Sequence, residues 1–419
     1  MEKSINASTV KIVFSEHIRL LWDNKTMYSL MVFIVWSTSL LHYTRGFLYH
    51  LPFITDVIDE VMVAVYVISV LLALPALVNR FSIADYLFYL FCATFVLSGY
   101  AFFPRNAEFL DENVLICLFC VFPFYFLGRS MDFDRYFNAL VLLSAACILI
   151  ELFYYLVYAP DNSVVNEAQR NDNMYAAYRL LPHVGLLLWA TLEKFRVWKA
   201  LVLFLGLVFL LACGTRGTFV CLGFFGIIYF FFYMNFQGAI FIKVGIIALV
   251  ALVIATLQDT LFFLVKTFTD FKLSTRIIEK FLEGDLGNDS HRSMLRDKLY
   301  AVMDSGDHFW GLGAFGCRNY YSIIYPHFMP LDFFCSFGYF LGSVLLILLF
   351  GLISFSLWCA KEKRSQVLII FLFSISIIKL MLSNTFLLEP FFYMLIGVCI
   401  KEVFAYYSTV HRQLQPLAA

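Results

Sequence analysis

The chain has 419 residues, 62% of them hydrophobic and only 14% charged, whereas soluble domains sit nearer half apolar and a quarter charged and disordered chains are far more polar. Thirty Lys and Arg balance thirty Asp and Glu, so no global field marks a nucleic-acid-binding surface. The apolar runs are long and continuous, unlike the short alternating segments of an outer-membrane barrel. The expectation is an all-α polytopic membrane protein, with residues 1–419 forming a single integral membrane domain.

A helical span needs about 20 predominantly apolar residues. Twelve candidates follow along the chain, centred near 31–41, 61–77, 86–103, 114–127, 139–157, 177–191, 200–211, 219–234, 242–257, 334–357, 367–382 and 391–404. The first carries no cleavage-site pattern and is followed by many others, so it is expected to be a span and not a signal peptide. With the N-terminus in the cytoplasm, sixteen Lys and Arg fall on inner segments and six on short outer ones. The positive-inside bias therefore supports twelve spans with both termini cytoplasmic. The long connection 258–330, between spans nine and ten, is placed outside the membrane. A shorter polar segment, 161–173, lies on the same side. The ten cysteines mostly sit in apolar runs, which is no disulfide framework. Cys117 and Cys120 have CxxC spacing inside an unbroken apolar run and read as small core residues.

Asp132-Phe133-Asp134 looks like the Asp-x-Asp of metal-dependent glycosyltransferases, but Arg129 and Arg135 flank it, and a solvated salt-bridge cluster fits better. Glu151 and His183 lie within spans and are ambiguous. Arg170 and Arg179 flank the sixth span on its outer side, where either could join an anion site. Arg216 stands in Cys213-Gly214-Thr215-Arg216-Gly217-Thr218, between two apolar runs. Guanidinium is always charged and its planar fork suits phosphate. The neighbouring glycines let a ligand approach the backbone. A snorkelling arginine at a helix end explains the position as well.

Within the long loop, residues 289–303 read as a helix capped by Asp289 or Ser290. Leu295, Leu299, Val302 and Met303 form its apolar stripe. Arg292 and Arg296 share one face, either turned toward the mouth of the bundle or simply solvated. Gly311 and Gly313 mark a tight turn returning to the membrane. They are no dinucleotide fingerprint, because no strand precedes them. His327, in Tyr325-Pro326-His327-Phe328, stands at the outer head of the tenth span. A neutral imidazole there can take a proton from a hydroxyl, and an interfacial histidine bonded to a loop carbonyl is the plainer alternative. Lys379 lies near the outer end of the eleventh span, where function and snorkelling compete. No zinc-protease motif, phosphate-binding Walker loop or serine-nucleophile elbow occurs.

The order of these features resembles the O-antigen polymerase and O-antigen ligase superfamily of bacterial glycan assembly. The matching residues are Arg216, Arg292, Gly311, Gly313, His327, Gly338 and Gly342. Phe328 departs from the pattern, standing where the family carries Asn. The resemblance implies a GT-C-like glycosyltransferase of the bacterial inner membrane, working at its periplasmic face without metal or other cofactor and with inversion at the anomeric carbon. The implied donor is an oligosaccharide on undecaprenyl diphosphate. Chain-length regulator or flippase proteins are candidate partners, and nucleic acid is not. Arg216 and Arg292 would hold the diphosphate and His327 would orient or deprotonate the acceptor hydroxyl, with Arg170, Arg179, Arg296, Gly311 and Gly313 as substrate-binding candidates. Polymerase is the leading reading and ligase to lipid A-core the second. A lipid-linked oligosaccharide flippase would instead spread its charges along a central cavity.

Overall fold

The computed structural model describes residues 82–158, 167–234, 292–306, 309–320 and 325–414, together with residue 64. The expected spans at 31–41, 61–77 (apart from residue 64) and 242–257, and the expected caps Asp289 and Ser290, lie outside them. The described residues are mostly helical, with no strand among them.

Helix α1 (Ile83–Phe102) starts from a capping box in which Ser82 and Asp85 satisfy one another's backbone amides, the usual way to close a helix N-terminus. Pro104 then opens a 3-10 turn. Helix α2 (Ala107–Leu115), a π turn (Ile116–Val121) and α3 (Phe124–Ser130) make one crossing segment, interrupted at Pro123, which cannot donate to a helical ladder. Cys117 falls in the π turn, fully buried with its thiol against the Leu387 carbonyl, as expected of a core residue.

Next come α4 (Phe133–Tyr158), α5 (Glu167–Glu193), α6 (Val197–Ala212) and α7 (Arg216–Ile228), the last extended by a π turn. From the long connection the structure shows α8 (Arg292–Ser305) and a 3-10 turn (Gly316–Asn319). Helix α9 (Met329–Cys359) is kinked at Gly338. Helix α10 (Lys363–Phe373) continues through a π turn into the short α11 (Lys379–Leu382). The 3-10 turn Phe386–Leu388 then leads into α12 (Pro390–Leu414).

Among the described residues seven helical stretches are long and apolar enough to cross a membrane: Ile83–Phe102, Pro104–Ser130, Phe133–Tyr155, Arg216–Tyr233, Met329–Cys359, Lys363–Leu382 and Pro390–Val410. The remaining two expected spans on described residues are also helical. Helix α6 has only 16 residues, and α5 opens with a polar first turn. Large side chains such as Ile83, Phe102, Phe232 and Ile347 stand exposed on the outside of the bundle. That surface suits lipid and would be unfavourable in water. The centre is aromatic: Trp189 stacks on Phe133 at 5.2 Å and packs on Phe137 and Phe371. Helices α3 and α12 approach backbone to backbone at Gly128 and Gly397, where no side chain would fit, as small residues allow in membrane bundles.

The two ends of the bundle differ in chemistry. At one end Arg364 bridges Asp134 at 2.9 Å and Glu193 at 2.8 Å, joining α4, α5 and α10. Asp134 is thus in an ion-pair cluster, but its partner is Arg364 of a distant helix and not the neighbouring Arg129, which pairs with Asp85; no metal-ligating group of residues occurs among those described. At the same end Asp85 is buried and takes bonds from the Tyr125 hydroxyl and Arg129. Lys379 is fifteen residues along from Arg364, so about 22 Å away at the helical rise. The candidate site lies there, at the opposite end.

Candidate active site

Three helices begin at that end: α7 at Arg216, α9 at Met329 just after His327, and α12 at Pro390 just after Glu389. Each helix N-terminus presents amide donors and a partial positive charge. Helix α8 brings Arg292 to the same end. Such an end is suited to an anion before any individual contact is considered.

Tyr178 of α5 is the hub. Its hydroxyl occupies the space where Gly217 lacks a side chain, one residue after Arg216. Its hydroxyl pairs with Ser383, and it lies within electrostatic reach of Arg292 and Tyr325. The Lys379 ammonium sits over its ring, 5.4 Å from the centroid. Thus α5, α7, α8 and the segment after α11 meet around one phenol. The Gly214-Thr215 turn that sets up Arg216 is built locally. Gly214 has φ +73°, a region that glycine enters without penalty, and Thr218 folds back onto the Thr215 carbonyl.

Arg292 donates from Nη1 to the Leu382 carbonyl at 2.9 Å. That carbonyl lies at the C-terminal end of α11, where helical carbonyls lack partners. Arg296, one turn on, sits over the Phe328 ring at 5.6 Å. The aromatic residue at 328 therefore serves as a cation–π platform. The helix holding both arginines is seated as its stripe requires: Leu299 and Met303 are buried against Leu312, Cys317, Leu331 and Cys335.

His327 has φ +54°, a left-handed conformation uncommon for a side-chain-bearing residue. Its ring meets Tyr325 edge-on at 4.4 Å. The Tyr325 hydroxyl lies 3.3 Å from Ser383 Oγ, so His327 is linked through Tyr325 and Ser383 to Tyr178. Asp332, in the first turn of α9, accepts from the Thr385 hydroxyl at 2.7 Å and the Phe386 amide at 3.0 Å. It ties the segment after α11 to the histidine-bearing start of α9.

Arg179 lies beside Tyr178 in the chain and 3.8 Å from the buried Glu151. Cys213, at the end of α6, is within electrostatic reach of both charges, so the pair lies under the turn preceding Arg216. His183 is different. It is fully buried in α5, with Nδ1 3.2 Å from Ser144 Oγ, a core arrangement. Arg170 lies in the first turn of α5, and its side chain is outside the described residues. Gly311 and Gly313 serve packing. Gly311 lies against the Gly338 amide and the Cys335 carbonyl, and Gly313 against the Phe103 ring. Asn106 donates to the Leu312 and Ala314 carbonyls, each at 2.9 Å. The glycine turn thus props α8 on α9 and does not join the residues around Tyr178.

No protein-family model, curated protein or solved structure matches the chain. The chemistry of the site therefore rests on its own geometry.

Sequence reading missed Tyr178, Ser383, Asn384 and Glu389. Lys379 and Glu389 form a buried ion pair, Nζ to Oε2 at 2.5 Å, and Asn384 donates to the same oxygen at 3.0 Å. The available signal was the polar triplet Ser383-Asn384-Thr385 between two apolar runs, with Glu389 just ahead of Pro390 at the head of the last span. Polar and charged groups at such depth are costly unless paired or used.

Proposed function

We propose that the protein is a surface-polysaccharide polymerase of the O-antigen polymerase and ligase kind. In this reading it moves an oligosaccharide from undecaprenyl diphosphate to a growing lipid-linked glycan at the periplasmic face of the bacterial inner membrane. The observation that carries the reading is that Arg292 and Gly217, the residue after Arg216 and 75 positions before Arg292 in sequence, both meet Tyr178, which Ser383 and Tyr325 link to His327.

The chemistry follows from that arrangement. As the glycosidic bond breaks, negative charge grows on the departing lipid diphosphate. Guanidinium groups and helix N-termini fixed in advance stabilise that charge without reorganising. The diphosphate is already a good leaving group, so the acceptor hydroxyl needs positioning and a base. In this reading His327, next to Tyr325, takes both tasks. Direct attack inverts the anomeric carbon. In this reading twelve spans in a GT-C-like arrangement, with both termini cytoplasmic, would put the site on the periplasmic side, where lipid-linked repeat units are polymerised.

The test is a gel of surface glycan from a strain lacking the gene, beside the complemented strain. A polymerase predicts lipid A-core bearing a single repeat unit and loss of long chains. Long chains that persist on undecaprenyl diphosphate but never reach lipid A-core would identify a ligase instead. An unchanged ladder would overturn both. In the complemented strain Arg216→Ala and Arg292→Ala should each lower transfer about 10²-fold or more, the usual cost of removing one transition-state charge partner. His327→Ala should do likewise while the protein still inserts.

A further inference from the structure

Glu389 is fully buried. Its Oε2 is satisfied twice, by Lys379 and by Asn384, whereas its Oε1 has no hydrogen-bond partner among the described residues. A buried carboxylate oxygen without a donor costs free energy, which a hydroxyl donor brought by a ligand would recover. Asn384 adds a second acceptor. Its Nδ2 must point at the carboxylate, since only the amide nitrogen can donate to it. The amide oxygen is thereby turned the other way. Asn384 is only partly buried, so the residue itself borders space a ligand can enter.

The position is next to the reacting groups. Ser383, the chain neighbour of Asn384, bonds Tyr325, whose ring touches His327. Asn384 also holds φ +73°, a conformation that costs energy for any residue with a side chain and recurs at functional sites. Two acceptor oxygens close in the chain to Ser383, which bonds Tyr325, suit a polyhydroxylated ligand, which brings many hydroxyl donors. They do not suit an anion.

We propose that Asn384 and Glu389 form a hydroxyl-binding pair for the acceptor saccharide, separate from the arginines that take the donor diphosphate. The Lys379 ammonium keeps the Glu389 carboxylate in place, and Glu389 in turn orients the Asn384 amide. This inference rests on the transferase reading above.

The experiment uses Asn384→Gly and Asn384→Ala in the full-length protein. Glycine removes the amide and relieves the left-handed strain, whereas alanine removes the amide and keeps the strain. Both should collapse the surface-glycan ladder, with transfer reduced at least about 10-fold, the worth of one good hydrogen bond to a charged or oriented partner. Binding of farnesyl diphosphate to the purified variants in detergent should stay within about twofold of wild type, because the arginines are untouched. Asn384→Gly should melt no lower than Asn384→Ala. A wild-type ladder from Asn384→Gly would overturn the proposal, and so would a ladder lost only in the less stable alanine variant, which would make the role structural. If deleting the gene leaves surface glycan unchanged, the transferase reading falls and this inference with it. If the ladder needs the protein but not the 384 amide, only this inference falls.

Discussion

Lys379 shows what a single residue in a membrane protein signals and what it leaves open. A lysine near a span end snorkels or serves, and its neighbours in sequence do not decide between them. In the structure it is paired with a carboxylate ten residues away and capped by an aromatic face. Lys379→Met would leave Glu389 charged and buried with its main partner gone. Breaking a buried pair from one side costs about 3–5 kcal/mol, so this variant should melt well below wild type in detergent. The double variant Lys379→Met/Glu389→Gln removes both charges and should recover most of the loss. Equal melting of all three proteins would show that the pair contributes nothing. Gly217 makes a second residue-scale case, because its missing side chain admits the Tyr178 hydroxyl. Gly217→Ala should destabilise by about 1–3 kcal/mol, as overpacking does, and adding Tyr178→Phe should restore part of it by removing the clashing oxygen. A Gly217→Ala protein that melts like wild type would contradict that contact.

At the scale of elements, the support for α8 comes from the Gly311 turn and the kink of α9. Gly311 and Gly338 each have positive φ, and their backbones pack against one another. A side chain at 338 would run into the Phe309 carbonyl, which cannot swing aside as a side-chain tip can. Gly338→Ala should therefore cost more than the 1–2 kcal/mol of a left-handed conformation alone, roughly 3 kcal/mol with the overlap added. It should also disturb the seating of α8, so that farnesyl diphosphate binding weakens with stability. An unaltered melting curve would show that the kink is not needed. Asp332 is the second connector between elements. It holds the 383–388 segment through a hydroxyl and an amide, and hydrogen bonds to a charged group are worth about 1.5–3 kcal/mol each. Asp332→Ala should loosen that segment and cost transfer activity as well as stability. Full activity would detach it from the site.

For the whole molecule, one end carries the Arg364 ion pairs among α4, α5 and α10 and the other carries Lys379, Glu389 and the residues around Tyr178. The positive-inside expectation would put the first end in the cytoplasm. That assignment can be read with a membrane-impermeant maleimide in a Cys120→Ser background, because the nine other cysteines are buried. Trp310→Cys, at an exposed position in the glycine turn, should label in intact cells with the outer membrane permeabilised. Arg196→Cys, exposed in the α5–α6 turn, should label only after the inner membrane is opened. The reverse pattern would invert the topology and remove the proposed site from the periplasm.

Composition and periodicity alone determined the helical membrane class. Every backbone group in lipid must be satisfied within its own segment, which leaves long apolar runs one common solution. The stripe Leu295, Leu299, Val302 and Met303 likewise specified α8, and burial of three of its members follows that pattern. The place of Arg216 between two apolar runs was legible for the same local reason. The partners were not legible. Tyr178 meets Gly217, Leu382 meets Arg292, and Asp332 meets Thr385 across 39, 90 and 53 positions of chain. Such contacts depend on how helices stack, and helical periodicity carries no information about which helix comes to lie beside which. The same holds for the glycine turn. Its two glycines were visible as a signal, but only the tertiary structure shows them used in packing α8 onto α9, with the polar groups gathered instead around a tyrosine in mid-helix.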